Sequence, residues 1–169
     1  MQNLSSSTSP LTALQREMWI GQTMHPDAPL YNSAYTFHIK GEVDPELFLE
    51  AHRKLVLKTD SLRIVFNESN GSTLQSILGE TDNEARYEDR SDLSKPEFET
   101  LLEERSLKIF DLSKRTWSSI LYKRRNNLFV WLFVQHHMLI DGASFEIILN
   151  RLSTLYDAAA GQQISATPS

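Results

Sequence analysis

The sequence contains no cysteine. That absence removes thiolate catalysis, iron–sulfur clusters, cysteine zinc sites and disulfides, and it fits a reducing compartment. Long apolar runs are lacking too: the longest, residues 128–134, falls far short of the roughly 20 residues that a membrane-spanning helix needs. Cations are in the minority, 17 Lys and Arg against 22 Asp and Glu, for a formal charge of −5. Affinity for a phosphate backbone comes mainly from Lys and Arg, so the balance argues against nucleic acid as a partner. Residues 1–10 have neither the charged n-region nor the apolar h-region of a signal peptide; rich in Ser and Thr, they read as a disordered lead-in. Without a secretory signal the acceptor patterns at Asn67 and Asn70 carry little weight as glycosylation sites, and cytoplasmic residence is the expectation.

What is present is an ordinary globular balance, 40% apolar and 23% charged over 169 residues, enough for one domain with a buried core. No repeat or Pro/Gly linker divides it, so residues 11–161 read as one folded unit and residues 162–169 as a tail. Leu11, Leu14, Met18 and Trp19 recur at helical spacing and Pro26 ends the pattern, predicting a helix over residues 12–24. Tyr35, Phe37 and Ile39 alternate with polar residues as a half-buried strand does, and Asp44-Pro45 supplies an N-cap and first-turn proline for the next helix. Residues 64–66 and 74–78 flank Asn70-Gly71, a hairpin signal. Ser94 and Glu97 form a capping box for a helix predicted to run through Phe110. Residues 117–122 and 128–134 are strands joined by a polar turn, and Phe145, Ile148, Leu149, Leu152, Leu155 and Tyr156 form a helical stripe ending before Gly161 as a C-cap. The predicted order is α-β-α-β-β-α-β-β-α. That is an α/β layered sandwich with a mixed, largely antiparallel sheet flanked by helices. Residues 128–134, apolar at every position, belong in the middle of the core.

Chemistry concentrates in residues 135–144, between that strand and the last helix. His136 and His137 are adjacent, and successive strand residues point to opposite sides, so one should be structural and the other free. A histidine held at the end of a core strand is rigidly placed and can accept a proton near neutral pH. Asp141 follows four residues later, and Gly142 permits a sharp turn. Ser144, just before an apolar stripe and outside any GxSxG elbow, reads as a helix cap and not as a nucleophile. Metal binding by His136, His137 and Asp141 is disfavoured because neighbouring strand side chains diverge. Trp117 and Trp131 read as core, with a substrate channel the alternative; His25, His38 and His52 read as surface or core fillers.

The run from His136 to Gly142 resembles the HHxxxDG signature of nonribosomal peptide synthetase condensation domains, members of the chloramphenicol-acetyltransferase-like superfamily. Leu11-Thr12-Ala13-Leu14-Gln15, Met18-Trp19 and Pro29-Leu30-Tyr31-Asn32 resemble the family's opening motif. The run from Ser61 to Phe66 resembles its LRxxF motif, and Asp111-Leu112 falls where many members carry a similar pair. The resemblance covers residues 11–161 but only the N-terminal half of a pseudo-dimeric domain. It implies a missing C-terminal half, which would close the site, and a tail leading toward it. With Met1 at the start, the donor is expected from a separate protein or as a fatty-acyl starter.

The resemblance implies amide bond formation, the acceptor amine attacking a donor thioester, in antibiotic or siderophore biosynthesis. Both substrates ride on phosphopantetheine arms of donor and acceptor peptidyl carrier proteins, and the domain itself binds no cofactor or metal. His137 matches the catalytic histidine, and His136 is the buried member of the pair. Gly142 serves backbone geometry, with its amide facing the intermediate's oxygen. Asp141 either orients His137 or, as the resemblance implies, forms a structural ion pair with Arg63. Heterocyclising members replace the histidines with aspartates, and epimerising members often carry Trp where this chain has Phe145, so peptide-bond formation fits best. The alternatives are a coenzyme A-dependent acyltransferase of the same superfamily and a non-catalytic half that binds a carrier protein. An exposed apolar face is expected where the second half would dock.

Overall fold

The computed structural model describes residues 4–69, 71–79, 81, 84–125, 127–139 and 142–161, with residues 4–7, 142 and 143 described by their backbone alone. Its elements are β1 (Leu4–Pro10), α1 (Ala13–Met24), β2 (Asn32–Lys40), α2 (Pro45–Leu57), a 3-10 turn (Asp60–Arg63), β3 (Ile64–Ser69), β4 (Ser72–Leu78), β5 (Arg86–Asp89), α3 (Lys95–Ser106), β6 (Trp117–Arg125), β7 (Leu128–His136) and α4 (Gly142–Ala160). The strands form two sheets where the sequence predicts one. A four-stranded sheet has the order β2-β7-β6-β5, with β5 parallel to β6 and the other pairs antiparallel; a three-stranded antiparallel sheet has the order β1-β4-β3. The β3–β4 hairpin, with Gly71 at φ +73°, thus belongs to a separate layer.

The composition of β7 explains its place. Phe129, Trp131 and Phe133 face a core made with α2 and α4 residues Phe48, Leu55, Phe145 and Leu152. Val130, Leu132 and Val134 face a second core containing Phe66, Phe98, Phe110 and Tyr122. A strand packed on both faces has no solvent side to mark with polar residues, so it reads as a continuous apolar run.

The helix starts follow their caps. Thr12 and Gln15 close a capping box on α1, Asp44 caps α2 ahead of Pro45, and Ser94 with Glu97 closes a box on α3. Gly161 follows α4 at φ +67°. Four expectations are corrected. Leu4–Pro10 is not a disordered lead-in: β1 pairs antiparallel with β4, through main-chain bonds that a Ser-rich segment makes as well as an apolar one. Leu14 does not face the core but is 61% exposed. Helix α3 stops at Ser106, short of Phe110, which is buried from a loop. Ser144 lies inside the first turn of α4, which already begins at Gly142, and is not its cap.

Candidate active site

At its last residue β7 passes beside the first residue of β2, with Asn32 opposite His136. Gln135 and His136 are buried, and as the chain leaves the sheet His137 comes to the surface. The His136 N–H donates to the carbonyl of Thr116 at 2.8 Å, the last tie to β6's side of the sheet. Three further amides then form the turn. The His137 N–H donates to the Tyr31 carbonyl at 2.7 Å, the Met138 N–H to Nδ1 of His136 at 3.3 Å, and the Leu139 N–H to the His136 carbonyl at 3.0 Å. The backbone on both sides of His137 is therefore held while its ring stays accessible.

Helix α1 supports this turn from beneath. The Gln15 side-chain amide donates to the Met138 carbonyl at 3.2 Å and to Oε1 of Gln75 at 3.3 Å. Gln22 places its side-chain oxygen 3.4 Å from Nε2 of His136. The Tyr31 ring meets the His136 ring edge-on, with centroids 5.7 Å apart. Its hydroxyl lies so close to Gly21 that a Cβ built there would stand 2.2 Å away, so any larger residue forces the Tyr31 ring or the helix to shift. Burial, reinforced by the neighbouring His137, pushes the His136 imidazole down to about 4, and it is neutral at physiological pH. The two histidines thus differ in environment: one is a neutral, hydrogen-bonded strut and the other an exposed imidazole.

The Condensation domain family profile matches residues 5–169. The chain belongs to the condensation-domain family. A dimodular nonribosomal peptide synthase of Bacillus subtilis (strain 168) is 31% identical over 151 residues, covering 88% of this chain and 6% of that protein. Surfactin synthase subunit 1 of the same organism is 30% identical over 152 residues, 89% of this chain and 4% of that protein. Among solved structures, the starter condensation domain of the rhizomide synthetase RzmA superposes with a TM-score of 0.86 at 26% identity, over 95% of this chain and 41% of that one. A variant of that domain was solved in complex with C8-CoA, and it matches with a TM-score of 0.85 at 26% identity. The chain therefore spans a small part of these synthetases and well under half of the solved domain.

In this condensation domain the remaining expected site residues fall as follows. Gly142 opens α4, and Asp141 lies outside the described residues, as does any pairing it makes with Arg63. The Arg63 guanidinium donates Nη1 to the Leu78 carbonyl and Nη2 to Oδ1 of Asp60, both at 2.5 Å, and so ties the 3-10 turn to the end of β4. Its Nε is buried with no hydrogen-bond partner among the described residues. Trp131 and Trp117 are core, their indole nitrogens donating to Oγ of Ser119 and the Leu62 carbonyl at 2.8 Å each. Trp131 also lines a groove of about 510 Å³ with Phe37, Phe48, Leu149, Leu152 and Tyr156. His25 and His38 are exposed, whereas His52 is fully buried. Among the described residues no helix is long and apolar enough to cross a membrane. Helix α1 buries none of its residues and exposes Leu14, Ile20 and Met24. Tyr31 lies within the opening motif, but nothing local in the sequence signals the contact of Gln22 with His136 or that of Gly21 with the Tyr31 ring.

Proposed function

We propose that the chain is the N-terminal half of a condensation domain and forms an amide bond between a carrier-bound acyl thioester and the amine of a carrier-bound aminoacyl group. The observation that carries this is the division of labour within the histidine pair, with His137 presented to solvent on a turn whose amides are all satisfied. The acceptor nitrogen attacks the thioester carbonyl carbon and the C–S bond breaks. The phosphopantetheine thiol of the donor carrier leaves, taking the proton that the amine loses. His137 accepts that proton or holds the attacking nitrogen during the addition. A general base contributes about 10²- to 10⁴-fold, and positioning alone can contribute comparably. Asp141 pairs with Arg63, a reading supported by the buried Arg63 Nε, which has no hydrogen-bond partner among the described residues, and Gly142 serves the backbone geometry with its amide toward the intermediate's oxygen.

The partners are the two carrier proteins and the C-terminal half, which closes the crevice beside His137. A fatty-acyl donor is a second reading, supported by the C8-CoA complex of the rhizomide starter domain variant. Both are tested by supplying the complete domain with an acceptor-loaded carrier and either an acyl-loaded or an aminoacyl-loaded donor carrier. Product from either donor supports amide formation, and the preferred donor separates the two readings. Absence of product from both, with the complete domain folded, would refute the function.

A further inference from the structure

We propose that Gln22 is a positioning residue for the condensation reaction: it holds His136 as the Nε2–H tautomer and through it sets the turn that presents His137. This rests on the reading that His137 meets the substrates.

The direction of each hydrogen bond follows from atoms that can only donate or only accept. The carbonyls of His25 and Ala28 accept, so the Gln22 side-chain atom 2.9 Å from each is its amide nitrogen. The side-chain oxygen is therefore the atom facing Nε2 of His136 at 3.4 Å, and since it only accepts, Nε2 carries the proton. Nδ1 is left with a lone pair, and the Met138 N–H points at it from 3.3 Å. The other neutral tautomer would set a lone pair against the Gln22 oxygen and an N–H against the Met138 N–H. Both contacts would be repulsive, at a ring only 2% exposed where water screens them little.

The consequence reaches His137 through the backbone. Of the three consecutive amides that build its turn, the second and third are accepted by His136, through Nδ1 and the carbonyl. Only the Nδ1 acceptor depends on a tautomer, and Gln22 is the side chain that selects that tautomer from the Nε2 side, in concert with the Met138 N–H at Nδ1. Gln22 is itself rigid, because its amide clamps the loop at His25 and Ala28 that ends α1. The selection thus runs from the end of the first helix to the strand end 114 residues later.

Histidine-selective ¹⁵N NMR of the complete condensation domain at pH 7 tests this without any variant. The expected result is a proton on Nε2 and a lone pair on Nδ1 of His136; a proton on Nδ1, or a charged ring, overturns the proposal. Kinetics then separate tautomer selection from mere stapling of the helix end. Gln22→Met should mix the tautomers and lower kcat about tenfold or more with KM held within about twofold. In a His136→Asn background, where the Asn Oδ1 can accept the Met138 N–H with no tautomer to choose, adding Gln22→Met should lower kcat by less than about threefold. An equal loss in both backgrounds, or no loss in either, overturns the proposal. Failure of the His137 reading appears separately, as a condensation rate unchanged by His137→Ala, and leaves the NMR result untouched.

Discussion

The main-chain N–H of His137 donates to the carbonyl of Tyr31 at 2.7 Å, and the hydroxyl of that same Tyr31 rests where a side chain on Gly21 would stand. The exposed histidine is thereby coupled to the packing of α1 against the loop ahead of β2. A change at either contact should be felt at the other.

Gly21→Ala tests that coupling. The added methyl meets Oη of Tyr31 at 2.2 Å, and such overpacking costs about 1–3 kcal/mol, offset by at most about 1 kcal/mol of helix propensity. The variant should unfold at lower denaturant and, in the complete domain, condense more slowly. Adding Tyr31→Phe removes the clashing oxygen and should recover most of both losses. A Gly21→Ala protein as stable and active as the parent would show that the Tyr31 ring moves aside freely.

Two buried histidines set an acid limit on stability. Burial pushes His52 down to about 4, and burial with the neighbouring His137 pushes His136 down to about 4, against 6.5 for the free imidazole. Between those values the unfolded chain binds more protons than the folded one. The stability is therefore complete above about 6.5 and is lost as the pH falls toward about 4, by roughly 3 kcal/mol for each histidine. Both ring nitrogens of His52 lack a hydrogen-bond partner among the described residues, the ring lying beside Phe48 and Trp117. Urea melts at pH 7.5, 6 and 5 should show the decline above the range where carboxylates titrate. His52→Leu should flatten it by about half and raise stability at pH 5. An unchanged slope would mean that His52 charges without penalty.

Arg63→Ala should damage folding more than chemistry. The guanidinium bonds the carbonyl of Leu78, a residue 1% exposed, and charge-assisted bonds of this kind contribute about 1.5–3 kcal/mol. Chemical denaturation should show a loss of at least that size. A normally stable Arg63→Ala protein lacking only activity would move Arg63 from scaffold to site.

How much of this could be read in advance varied with the physics of each element. The central strand was legible because seven consecutive apolar residues, Leu128 to Val134, fit only a strand covered on both faces. The contrast between His136 and His137 was legible, but its cause is not strand parity: β7 ends at His136, and His137 reaches the surface because the chain turns out of the sheet there. β1 was not, since its pairing with β4 uses main-chain groups that Ser and Thr supply without any apolar pattern. β5, of sequence RYED, was hidden for the same reason at a sheet edge. The end of α3 is not legible because Phe110 continues an apolar spacing from a loop, while the helix ends at Ser106 with Leu107, not a glycine, as its C-cap. The support beneath His137 was beyond sequence reasoning, because the contacts of Gln22 and Gly21 exist only once α1, the loop before β2 and the end of β7 have been brought together.

The most direct measurement compares the complete condensation domain with its His137→Ala variant, following transfer from a donor-loaded carrier to an acceptor-loaded carrier at matched thermal stability. An essential imidazole at the end of β7 predicts a fall of about 10²- to 10⁴-fold in rate with the fold intact. Equal rates for the two proteins would contradict that role and return the histidine pair to a purely structural one.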